Sequence, residues 1–126
     1  MYSVIIFLGF YNLLFAVFHL LFWRLFKWNK EVQKLSFANR GIIQILNIQI
    51  IYYFVAVAIV CFCFTNELLT THLGKVFLLG NSLFWIIRLV QQYIFLRKNS
   101  FVIHILTVLF LLGAVLFFLP CFTKIY

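Results

Sequence analysis

The chain is almost without acid. Its 126 residues contain no aspartate, and Glu31 and Glu67 are its two carboxylate side chains. Against them stand ten lysines and arginines, for a net charge of +8. This scarcity excludes membrane exchange mechanisms that need a carboxylate in the middle of a span, because no apolar segment supplies one. Zinc-protease, nucleophile-elbow and P-loop patterns are also missing. General acid–base chemistry would fall to His19 and His104 alone, and no enzyme is expected.

Charge of either sign is missing from long stretches. Met1 to Trp23, Gly41 to Asn66 and Asn99 to Thr123 carry none, and Val76 to Leu96 carries only Arg88. Each run exceeds the roughly 18–20 residues that a helix needs to cross the hydrocarbon. The composition agrees: 67% of residues are hydrophobic, 10% are charged, and the mean hydropathy is +1.15. Soluble domains hold about 45–50% apolar and about 25% charged residues. The short alternating segments of an outer-membrane barrel are absent. Backbone polar groups must be paired inside lipid, so the runs are predicted to be helices. The expectation is an all-α, polytopic membrane protein. It forms a single domain over residues 1–126, with transmembrane helices at about 3–23, 41–64, 76–96 and 101–121. The first helix has no basic n-region and no small-x-small cleavage site, so it is expected to stay as an anchor.

The basic residues set an orientation. The connection between the first two helices holds Arg24, Lys27, Lys30, Lys34 and Arg40, and that between the last two holds Arg97 and Lys98. The remaining ends carry Lys75 and Lys124. The positive-inside rule places the first and third connections in the cytoplasm, with both termini outside and the helices in an up-down bundle. The net positive charge therefore reports topology rather than nucleic-acid binding. Trp23, Trp28 and Phe37 flank the lysines of the amphipathic connection 24–40 as interfacial anchors do. A short helix from about Asn29 to Leu35 would turn Val32 and Leu35 to lipid, with the five basic residues attracting anionic headgroups.

Polar residues recur within the runs at helical spacing. Asn12, Ala16, His19 and Trp23 share one stripe, and Asn81, Trp85, Arg88 and Gln92 another. Arg40, Gln44 and Asn47 share a face, as do His104, Thr107 and Leu111. On a rise of ~1.5 Å per residue, His19, Gln44, Asn47, Gln92 and His104 lie roughly 5–10 Å inside the cytoplasmic boundary, and Arg88 ~12 Å. Inward stripes at one depth predict a cytoplasm-facing polar pocket that binds or conducts an anionic ligand or lipid headgroup. In that pocket Arg88 supplies charge, and His19, Gln44, Asn47, Gln92 and His104 supply hydrogen bonds. The same amides also serve as glue between helices.

Arg88 has three prospective partners: a lipid phosphate reached by snorkelling, Glu31 folded back from the connection, or a bound anion. Two further roles stay open. The chain is an accessory or scaffolding subunit of a larger membrane complex, or a homo-oligomer, with Arg88 paired to a partner's acid. Or it is a haem or quinone redox protein, with His19 and His104 as haem ligands and Arg88 at a propionate. Otherwise neither cofactor nor metal is expected. Cys61, Cys63 and Cys121 lie toward the outer face, where they form a disulfide if that face is oxidising or serve as small hydrophobes. No GxxxG motif marks a helix-dimer face.

The segment FHLLFWRLFKWNKEVQKLSFANRGIIQILN, residues 18–47, resembles a family of small four-helix bacterial membrane proteins of the Bacteroidetes type. The shared pattern is F-H-x-x-F-W, then W, then N-R-G-I-x-Q-x-L-N. It extends more loosely through ELLTTHLGK (67–75) and LFWIIR (83–88). The resemblance implies four helices and a bacterial inner membrane, and it supplies no activity. Single cysteines placed in a cysteine-free background test the topology. A membrane-impermeant maleimide applied from outside is expected to leave the 24–40 connection unlabelled, and labelling there would reverse the assignment.

Overall fold

The computed structural model describes residues 2–96 and 100–122. The expectations resting on Arg97, Lys98 and Lys124 lie outside the described residues. The element order is α1 (Tyr2–Leu20), α2 (Phe22–Leu25), α3 (Trp28–Glu31), a 3-10 turn (Val32–Lys34), α4 (Phe37–Cys63), α5 (Thr65–Thr70), α6 (His72–Phe95), α7 (Phe101–Phe118) and a closing 3-10 turn (Leu119–Phe122). Among the described residues all regular structure is helical. Four helical segments are long and apolar enough to cross a membrane: Tyr2–Leu20, Phe37–Cys63, His72–Phe95 and Phe101–Phe122.

Two of these begin earlier than hydropathy alone predicts, because capping residues set their starts. Ser36 Oγ accepts from the Asn39 amide and Ser36 O from the Arg40 amide, so α4 starts at Phe37 rather than near residue 41. Thr71, in extended conformation, accepts the Gly74 amide at 2.9 Å and starts α6 at His72 rather than near 76. Side-chain oxygens at such positions satisfy first-turn amides that have no helical acceptor. Ser100 caps α7 in the same way through the Ile103 amide. At the other end of α4, the Thr65 hydroxyl donates to the Cys61 carbonyl as the chain breaks at Phe64.

The described chain divides into two compact units, residues 9–60 and residues 2–8 with 61–122. In the 9–60 unit, α1 meets α4 through Phe15 and Phe54, with ring centres 5.8 Å apart. Phe15, Ala16, Phe54, Val57 and Ala58 are buried there. In the amphipathic connection the short helix expected at about 29–35 is present as α3 and the 3-10 turn, residues 28–34. Lys27 takes the left-handed conformation (φ 53°) and folds α2 against α3, placing Trp28 against Phe22 and Trp23. Val32, expected to face lipid, is 2% exposed, whereas Leu35 is exposed. The helical segment ends at Lys34 and Leu35 is extended, so Leu35 leaves the face that it would share with Val32 in a continuous helix.

In the second unit, α6 and α7 form a hairpin. Lys75 meets Cys121, Ser82 meets Ala114, Arg88 meets Phe110 and Gln92 meets Ile103, so the two helices run in opposite senses. The α7 side of this seam is 103, 107, 110, 114, 117 and 121, a 4-3-4-3-4 spacing that keeps one stripe toward the partner helix. Between lipid-immersed helices the hydrophobic effect contributes nothing, so packing and hydrogen bonds hold the seam. The helix α5 packs on α6 through Gly74. A Cβ at that position would lie 2.4 Å from the Glu67 carbonyl oxygen and 2.5 Å from Leu68 Cα. The obstructing atoms are backbone and cannot rotate away. Gly80 is the contrast, with nothing within 4 Å of an added Cβ. Gly74→Ala is therefore expected to destabilise the protein by about 1–3 kcal/mol in detergent unfolding. Gly80→Ala is expected to be neutral or stabilising, by up to ~1 kcal/mol. Equal tolerance at both positions would refute the close α5–α6 approach.

Candidate functional site

The sequence-predicted site residues fall in both units. His19, Gln44 and Asn47 belong to residues 9–60, and Arg88, Gln92 and His104 to residues 61–122. Each group is built separately from its own helices.

On α1, the His19 ring stacks among Phe18, Phe22 and Phe54, with centroid distances of 5.7, 4.4 and 5.2 Å. Its Nδ1 lies 2.9 Å from the Phe15 carbonyl one turn back; a carbonyl only accepts, so Nδ1 carries the proton. Asn47 on α4 donates its amide to the His19 carbonyl at 3.2 Å, tying α4 to the end of α1. Gln44 donates to the Arg40 carbonyl within α4. The amides of Asn47 and Gln44 thus satisfy carbonyls of the protein itself. Arg40 turns its Nη1 to Gln33 at 2.9 Å, while its buried Nε has no partner among the described residues. Arg24, Lys27, Lys30 and Lys34 lie on the connection, where Lys34 pairs with Glu31 at 3.4 Å. Glu31, one of the partners weighed for Arg88, is committed to that exposed pair.

On α6, Gln92 is 2% exposed and donates both amide hydrogens to α7. One goes to the Ile103 carbonyl (3.0 Å) and one to the Thr107 hydroxyl (2.7 Å), which in turn donates to Ile103 O (2.9 Å). Its Oε1 is buried and has no hydrogen-bond partner among the described residues. One turn earlier, the Arg88 guanidinium lies 4.7 Å from the centre of the Phe110 ring. Trp85 stacks on the same ring at 5.6 Å and 25°. Arg88 makes no hydrogen bond or ion pair among the described residues. His104, predicted to share an inward face with Thr107, sits beside the seam rather than in it. Thr107 reaches Gln92, whereas His104 is exposed and borders a shallow apolar groove with Ile105, Val108 and Leu109. His104 lies about 100° round the helix from Ile103 and about 60° from Thr107, which puts it outside the seam that those two residues face.

Two contacts of this hairpin escaped the sequence reading. Lys75 donates to the Cys121 carbonyl at 3.0 Å while the Cys121 thiol points back at the Lys75 carbonyl, closing the far end of the seam. Ser82 donates to the Ala114 carbonyl at 2.7 Å. The heptad-like spacing of 75, 78, 82, 85 and 92 on α6 is the signal that groups them. Cys61, Cys63 and Cys121 are free thiols. Among the described residues no three His, Cys, Asp or Glu side chains gather as metal ligands would.

The Gln92–Thr107 bond is expected to couple the two residues. In a double-mutant cycle of Gln92→Leu and Thr107→Val, unfolding in mild detergent should return a coupling energy of about 0.6–1.7 kcal/mol. Strictly additive effects would remove the bond from the account of the seam. Comparison of the chain with family models, with curated proteins and with solved structures returns no match.

Proposed function

We propose that the protein is a non-enzymatic, multi-pass binding protein of a bacterial inner membrane that holds an anionic group, foremost a lipid headgroup phosphate, through Arg88. The supporting observation is a charge without a counter-charge. Arg88 is a half-buried cation in a membrane-spanning helix, and among the described residues its partner is an aromatic ring. An arginine near the centre of a span costs about 2.5–3.5 kcal/mol on insertion scales. A cation–π contact offsets about 0.5–2 kcal/mol of this and leaves the N–H donors unused. An anion that accepts them supplies the remainder, and the guanidinium fork matches the oxygens of a phosphate. The headgroup layer is within reach. Arg88 precedes the end of α6 at Phe95 by seven residues, ~10 Å along the axis, and its side chain covers most of that distance.

The topology in this proposal is the up-down bundle with both termini outside, and it rests on the basic residues of the first and third connections. Membership of the Bacteroidetes-type family, which residues 18–47 suggest, carries the choice of inner membrane. In a second reading the chain is an accessory subunit whose Arg88 pairs with a partner's acid. That reading draws on the exposure of the spans, of which 22–39% is buried within the chain.

Native mass spectrometry from mild detergent separates the two. The wild type is expected to retain anionic phospholipid, and Arg88→Ala to retain one molecule fewer while keeping its helical circular dichroism. Binding that is unaffected by Arg88→Ala contradicts the proposal. A stoichiometric protein partner lost on the same substitution favours the subunit.

A further inference from the structure

The first two turns of α4 carry a groove that the Arg88 reading does not use. It has a volume of about 410 Å³ and is lined by Phe37, Arg40, Gly41, Ile42, Gln44 and Ile45, with Ala38 at its edge. Its walls are almost wholly apolar, and Arg40 and Gln44, one turn apart, are the polar residues that border it. It is open at Gly41, where an added Cβ would meet nothing within 4 Å. Phe37 forms a projecting wall and is 88% exposed.

We propose that this groove is a binding site for one anionic phospholipid, with its phosphate at Arg40 and an acyl chain along Gly41, Ile42 and Ile45. Three observations select that occupant. The first is charge. Arg40 spends Nη1 on Gln33, and its Nε and Nη2 are without partners among the described residues. The connection that leads into α4 adds Arg24, Lys27, Lys30 and Lys34, and the one carboxylate among them, Glu31, is paired with Lys34. The second is shape. Every lining residue comes from the first turns of α4, so the apolar trough runs along one helix past Arg40. The third is position. Residue 37 opens a span of membrane length, so residues 40–45 lie where headgroups give way to hydrocarbon. A small anion would leave the trough empty, and an uncharged lipid would leave Arg40 without a counter-charge. The inference extends the anionic-lipid reading to a second place and does not depend on Arg88.

The test is lipid titration of the full chain in mild detergent, read by native mass spectrometry, with phosphatidylglycerol, phosphatidylcholine and inorganic phosphate as separate probes. Gly41→Leu fills the trough from a position with free space around it, and circular dichroism checks that the fold persists. The wild-type groove is expected to prefer phosphatidylglycerol over phosphatidylcholine. Gly41→Leu is expected to weaken phosphatidylglycerol binding about fivefold or more, and Arg40→Gln to bring the two lipids to within about twofold of each other. Inorganic phosphate should not displace the lipid. All of these titrations are made in an Arg88→Gln background, so that lipid held at Arg88 is not counted and a failure at Arg88 and a failure here are distinguishable. Unchanged affinity in both Gly41→Leu and Arg40→Gln overturns the proposal. Complete displacement by inorganic phosphate also overturns it, because the acyl chain would then contribute nothing.

Discussion

Hydrocarbon offers no hydrogen-bond partners, so a polar side chain in a span must find its partner inside the protein or bring one with it. Most of the amides and hydroxyls here take the first course. Asn47, Ser82 and Gln92 reach carbonyls of a neighbouring helix, and Gln44 reaches a carbonyl of its own. Each bond is worth little alone, on the order of 0.6 kcal/mol. Their value lies in register. Ser82 and Gln92 meet α7, Lys75 meets the 3-10 turn that closes it, and together they fix which turn of one helix faces which turn of the other.

Arg88 cannot be satisfied in this way. A carbonyl accepts a hydrogen bond but does not neutralise a formal charge. With two carboxylates in the whole chain, and Glu31 already held by Lys34, an internal ion pair is a scarce resource. The stack of Trp85, Phe110 and Arg88 gives the guanidinium a quadrupole to lie against and leaves its hydrogens for an external acceptor. The same logic applies at Arg40, which is half satisfied by Gln33 and borders an apolar trough. Both arginines are places where the protein's own inventory runs out, and in the proposed reading the membrane's anions complete it.

The spans were legible because hydropathy is a property of the segment and needs no knowledge of neighbours. Their starts were less so, since Ser36 and Thr71 act through caps that a hydropathy window averages away. The contacts of the site residues were the hardest to read. Nothing local marks Phe110, one of 18 phenylalanines, as the ring beneath Arg88, because that depends on the register of α6 against α7. Gln92 could be named as a polar group in a span, but not given Ile103 and Thr107 as partners. His104 shows the cost of one residue: a face inferred from spacing alone fits several helix rotations, and the seam through 103, 107 and 110 selects the one that leaves His104 exposed. Val32 and Leu35 show the same at the connection, where the helical segment ends at Lys34 and separates them.

The central claim is that the counter-charge of Arg88 is a phosphate from the membrane. Magic-angle-spinning NMR measures it directly in phosphatidylglycerol-containing bilayers, through dipolar dephasing of ¹⁵N-labelled guanidinium signals by ³¹P, with Arg88→Lys used to assign the Arg88 signal. The account predicts that the Arg88 signal is dephased by lipid phosphorus as a direct hydrogen bond requires. An Arg88 guanidinium that shows no dephasing at any content of anionic lipid would contradict it.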